Sequence, residues 1–104
     1  MSRHNMSNIS VGSFIRELRS SKGLYLRELA AAINIDPAIL SKIERDERKA
    51  TRDQISAISE YFSVTSNKLL ILWLSDKVIY TLKDDEALLN EVLRISEERI
   101  EYGD

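Results

Sequence analysis

Cysteine is absent from the 104 residues, which excludes disulfides and thiolate metal sites. Histidine occurs once, as His4, and no further ligands gather around it in the sequence, so no metal site and no cofactor is expected. Proline occurs once and glycine three times. With so few interruptions, and no sustained alternation of β-branched and polar residues, the chain should be helical throughout. Long hydrophobic runs are also missing. The most apolar stretch, LLILWL at Leu69 to Leu74, falls far short of the roughly 20 residues that cross a bilayer. The opening MSRHNMSNIS has no apolar segment of the secretory kind. Phosphate-cradling glycine loops, nucleophile elbows and convergent acid–base groups do not occur either. A non-enzymatic cytoplasmic protein without membrane contact is the expectation.

What is present fits one globular domain: 43% hydrophobic and 31% charged residues, net charge −2. The charge is unevenly spread. Val11 to Arg52 holds nine Lys/Arg against six Asp/Glu, whereas Lys83 to Asp104 holds three against eight. A mildly basic front half is joined to an acidic tail.

The apolar spacing predicts six helices. The first covers Val11 to Ser21 and closes at Lys22-Gly23; the second covers Leu26 to Ile33. The third begins at Asp36-Pro37, an N-cap followed by a residue suited to the first helical position, and runs to about Arg45. Thr51-Arg52-Asp53-Gln54 is a capping box that starts the fourth. Ser66 or Asn67 caps a fifth over Lys68 to Leu82, and Asp84 or Asp85 caps a sixth ending near Tyr102. Residues 1–10 read as a loose arm.

The second and third helices are separated by Asn34-Ile35-Asp36 alone, and Asn34 tolerates positive φ. So short a turn makes the helices cross steeply, the geometry of a helix-turn-helix. The surrounding residues are more specific. LRELA at Leu26 to Ala30, an αL-capable residue four positions later, LSKIERDERKA at Leu40 to Ala50 and ISEYFSVTSNKLL at Ile58 to Leu70 together resemble the XRE family of phage-repressor-like domains. The resemblance covers about residues 11–70. Three departures accompany it: Asn34 and Asp46 where glycine is usual, Ala50 where proline is usual, and Tyr25-Leu26 where a hydroxyl cap and a phosphate-binding glutamine often stand.

The resemblance implies an all-α, compact five-helix DNA-binding domain over 11–70. Residues 71–104 lie outside it and read, from their apolar and acidic residues, as an additional helical extension packed on the same domain and serving dimerisation. The resemblance also implies a sequence-specific regulator bound as a homodimer to double-stranded DNA at a promoter, as repressor or autoregulator. Restriction–modification controllers and antitoxins are among the small members of the family. The first residues of the third helix would then face base edges: Pro37, Ala38, Ser41 and Lys42. Pro37 and Ala38 have no side-chain donor and suit thymine methyls; Lys42 suits guanine O6/N7. The loop beyond the helix would follow the DNA backbone, making Arg45, Arg48, Lys49 and Arg52 phosphate ligands, with Arg27 a further one. Leu40 and Ile43 should face the core, Ile39 should be partly exposed, and Glu44 should pair with Arg48 or Arg27.

The stretch Leu69 to Leu74 is hydrophobic in every direction around its helix, so one core cannot cover it. A dimer interface formed by Leu69, Leu72, Trp73, Ile79 and Tyr80 is expected. The sixth helix, with Leu88, Leu89, Val92, Leu93 and Ile95, offers a second cover within the chain. The alternative function is an antitoxin-like interaction module on the same fold, whose C-terminal helices hold a protein partner.

Overall fold

The computed structural model describes residues 9–64 and 67–103, and no strand occurs among them. The helices are α1 (Val11–Ser21), α2 (Leu26–Ala32), α3 (Pro37–Glu44), α4 (Arg52–Tyr61), α5 (Lys68–Thr81) and α6 (Leu89–Glu101), with a 3-10 turn at Glu86–Leu88 before the last. His4, Ser66 and most of the expected arm lie outside the described residues.

Local chemistry sets most boundaries. Ser10 Oγ accepts the Ser13 N–H at 3.1 Å and begins α1. Glu28 reaches back to accept the Tyr25 N–H at 2.7 Å and so closes the start of α2. Asp36 caps α3 by accepting the Ala38 N–H at 2.7 Å, with Pro37 at the first helical position. The capping box of α4 is complete: Thr51 Oγ1 accepts from Gln54 N, and Gln54 Oε1 accepts from Thr51 N. Two further starts differ from simple side-chain caps. Asn67 precedes α5 without a side-chain bond to it. Asp85 starts the 3-10 turn instead of α6, its carbonyl accepting the Leu88 N–H at 2.9 Å, so α6 begins only at Leu89.

Asn34 is in the left-handed region, φ 60°, as the tight turn requires. Asp46 also is, at φ 63°, the position where the family pattern favours glycine.

Ile15, Leu29, Leu40, Ile43, Ile55, Ile58 and Leu69 are fully buried and join α1 to α5 in one core. On α1 one residue is placed by close approach. A Cβ on Gly12 would collide with the Ile43 carbonyl oxygen and lie 2.6 Å from Asp46 Oδ1. The start of α1 thereby rests on the end of α3.

The helix α5 divides its apolar residues. Leu69, Leu72 and Trp73 lie inward, at i, i+3 and i+4, and are buried within the single chain. Trp73 Nε1 donates to the Ala50 carbonyl at 2.8 Å. Of the residues expected at a dimer interface, Leu69, Leu72 and Trp73 are packed in the chain's own core, and Trp73 keeps 8% of its surface exposed. Ile71, Leu74 and Val78 form the outward stripe, and Ile79 and Tyr80 are exposed beside it.

Of the expected extension over residues 71–104, the part up to Leu82 packs on the domain, with Leu72, Trp73 and Leu82 buried, and the part beyond it does not. From Lys83 to Gly103 every residue is exposed, including Leu88, Leu89, Val92, Leu93 and Ile100. The Cα radius of gyration is 15.6 Å, against about 13 Å for a compact domain of this length. The outward stripe of α5 and the apolar side of α6 both remain exposed. Arg94 pairs with Glu91 and Glu98 along its polar side and supports the helix locally.

Candidate nucleic-acid interface

The turn at Asn34 fixes α3 across the end of α2, and the cap at Asp36 leaves the first turn of α3 pointing away from the core. Pro37, Ala38 and Lys42 are exposed and Ser41 is half-buried. At spacings of one, four and five residues these four share one face of the helix. Leu40 and Ile43 form the opposite face and are buried, while Ile39 is half-buried between them.

Glu44 does not pair with Arg48 or Arg27. It is buried, and its carboxylate accepts two bonds from Arg19 of α1, Nε to Oε2 at 2.8 Å and Nη2 to Oε1 at 3.0 Å. Arg19 Nη1 also donates to the Leu24 carbonyl at 2.9 Å. The bidentate bond to Glu44 holds the Arg19 guanidinium above its ordinary pKa, against the opposing effect of burial. Glu44 points inward because the rotation that exposes Lys42 turns position 44 toward α1. The pair fixes the pitch of α3 relative to α1.

The loop after α3 carries cations in different states of engagement. Arg45 Nε bonds back to the Ser41 carbonyl at 3.3 Å and Nη2 lies 3.4 Å from Glu47, so Arg45 is partly neutralised. Lys49 Nζ lies 3.9 Å from the centroid of the Tyr80 ring. Arg52 is exposed, with its guanidinium 6.0 Å from the Trp73 ring, at the far limit of such contacts. Arg48 is exposed, and none of the ion pairs among the described residues includes it. On α2, Arg27 lies over the Tyr25 ring at 4.6 Å, both residues exposed.

Two carboxylates tie the start of α1 to its neighbours, Asp46 from the loop after α3 and Asp76 from α5, and sequence reasoning had given neither a role. Asp46 Oδ2 accepts the Ser10 hydroxyl at 2.8 Å, and Asp76 Oδ2 of α5 accepts the Val11 N–H at 3.0 Å. Burial pushes the Asp76 carboxyl up from its usual range, the Val11 bond opposes that, and the charge of Asp46 adds to it. The only available signals were an aspartate in an apolar helix and one at a glycine position.

Among the described residues no group of three or more His, Asp or Glu is placed to hold a metal ion. No helix among them is long and apolar enough to cross a membrane.

Comparison with known proteins agrees with this arrangement. A family model described as helix-turn-helix matches residues 15–69. The HTH-type transcriptional regulator RamB of Mycobacterium tuberculosis is 31% identical over 94 residues, 90% of this chain, in strains CDC 1551 and H37Rv alike. The chain spans only 18% of RamB's length. The crystal structure of the clp gene regulator ClgR from Corynebacterium glutamicum is similar at a TM-score of 0.55 and 27% identity, over 83% of this chain and 88% of that one.

Proposed function

The chain belongs to the XRE-type helix-turn-helix family, and on that premise we propose that it is a DNA-binding transcriptional regulator acting as a homodimer at a promoter, as repressor or autoregulator. Pro37, Ala38, Ser41 and Lys42 meet base edges in the major groove. Arg27, Arg45, Arg48, Lys49 and Arg52 meet phosphates and set the register. The observation that carries this reading is the exposed face of α3 continuing directly into a loop rich in exposed cations. Base discrimination rests mainly on Lys42 and Ser41, because Pro37 and Ala38 supply apolar contact alone. Arg45, already engaged by Glu47, is the weakest phosphate ligand of the set.

The proposed dimer uses the outward stripe of α5, Ile71, Leu74 and Val78, with Ile79 and Tyr80 and the apolar side of α6. These large apolar side chains are all exposed in the single chain. Two-fold pairing would set the two α3 helices about one DNA turn apart, ~34 Å. The same exposed stripe supports the second reading, a partner protein held by α5 and α6 in an antitoxin-like module.

Binding measured across a salt series, on a site selected from random DNA and on unrelated DNA, tests the regulator reading. A steep salt slope with a specificity ratio of about 10³ or more is expected. Weak binding that does not distinguish the two DNAs, in a protein that captures a partner through α5 and α6, favours the interaction module.

A further inference from the structure

The start of α1, the loop after α3 and the middle of α5 enclose an open groove of about 370 Å³. That volume lies within the range of small-molecule sites. Its inner surface is apolar, built from Val11, Ile43, Ala50 and Trp73, with Ile79 and Tyr80 on its outer wall. Four cations, Arg48, Lys49, Lys77 and Lys83, stand around it. Two are held over its aromatic rings: Lys77 Nζ is 4.0 Å from the Trp73 centroid and Lys49 Nζ is 3.9 Å from that of Tyr80. None of the four is in an ion pair among the described residues. Three carboxylates also line the groove, Asp46, Asp76 and Glu86. The first two are turned to the start of α1, where they accept the Ser10 hydroxyl and the Val11 N–H.

An aromatic and aliphatic floor under lysines that stack on it is matched by a ligand with an apolar body and one anionic head. A DNA backbone has no apolar body for this floor. The proposed dimer takes Ile79 and Tyr80 at the outer edge and does not draw on Val11, Ile43, Ala50 and Trp73 of the inner surface, which is too small to form an interface by itself. We propose that the groove binds a small amphipathic carboxylate, its apolar body on Trp73 and Tyr80 and its carboxylate between Lys49 and Lys77, and that occupancy weakens DNA binding. The second half rests on the assignment of Lys49 to phosphate, since a ligand that engages it withdraws it from DNA.

Trp73 is the only tryptophan of the chain, so its fluorescence reads the groove directly. The full chain is titrated with octanoate and with phenylacetate, and in parallel with the neutral octanamide and phenylacetamide. A saturable change with at least one carboxylate is expected, about tenfold weaker for its amide and about tenfold weaker in Lys77→Glu, as the loss of a charge-assisted contact implies. Lys77 is exposed, and circular dichroism verifies that the variant is folded. Carboxylate at the wild-type Kd should lower affinity for the selected DNA site in wild type and have a much smaller effect in Lys77→Glu. No saturable response to either carboxylate, or equal binding of acid and amide, overturns the site. A response that accompanies a change in sedimentation coefficient assigns the groove to a second copy and overturns the small-molecule occupant. Saturable binding with unchanged DNA affinity overturns the regulatory half alone. Absence of DNA binding without any ligand counts against the proposed interface and leaves the fluorescence arm to decide the site.

Discussion

Trp73 reaches from α5 to donate its indole N–H to the carbonyl of Ala50, in the loop that follows α3. The bond is buried, so removing the donor leaves a carbonyl without a partner. Trp73→Phe should cost about 1–3 kcal/mol in denaturant unfolding. Trp73→Glu should unfold the chain. Leu74→Glu, on the outward stripe, should stay folded by circular dichroism and sediment as a monomer. A folded Leu74→Glu that sediments as the wild-type dimer would remove this stripe from the interface.

The close approach of Gly12 to Ile43 reverses the usual helix rule. Alanine replacing glycine within a helix ordinarily gains about 1 kcal/mol. Gly12→Ala should instead destabilise, by about 2 kcal/mol or more, because a methyl group cannot share space with a backbone oxygen that the end of α3 holds in place. Urea midpoints of the two proteins measure it.

Arg19 and Glu44 are worth most when they are broken singly. Glu44→Ala leaves a guanidinium of low exposure without its anion and should cost about 3 kcal/mol. The double variant Arg19→Met, Glu44→Leu should recover most of that loss. Additive losses in the double-mutant cycle would show that the two do not act as a pair.

Asp76 should give acid sensitivity of an unusual sign. Its folded pKa is raised, so the folded state binds a proton more tightly than the unfolded chain does. As pH falls from neutrality through the folded pKa toward the ordinary aspartate value near ~4, wild type should gain stability relative to Asp76→Asn. The difference should level off below that value. Thermal unfolding of both proteins across this window measures it, and parallel curves would show that Asp76 does not titrate apart from an ordinary aspartate.

On DNA, Lys42→Ala should lower affinity for the selected site by roughly 1–3 kcal/mol and relax preference at one base position. Arg48→Ala should weaken all sequences alike and flatten the salt dependence. Unchanged affinity in both variants would displace α3 from the groove.

Much of the fold was legible because caps and periodicity are local. Asp36-Pro37, the Thr51–Gln54 box and the αL-capable Asn34 each act within four residues, and each has the expected place. The pairing of Arg19 with Glu44 spans 25 residues. Helical spacing tells which face a residue occupies but not which residue of another helix it meets. The α5 orientation was hidden for a different reason. With apolar residues all around Leu69 to Leu74, no polar side marked the outside, so Trp73 was indistinguishable from Leu74 by pattern. The role of Gly12 was hidden too, since a close approach between two backbones leaves no side chain to read.

Because α6 has no buried side chain, its amides are protected only by the helix's own hydrogen bonds. A lone helix of 13 residues is marginal in water, since its nucleus is costly and its length too small to offset that. Amide exchange should therefore divide the molecule: slow from α1 through the inner half of α5, fast in α6. Where a second copy or another protein covers the apolar side of α6, that exchange slows with protein concentration, and the gain in protection is a direct measure of the free energy of contact.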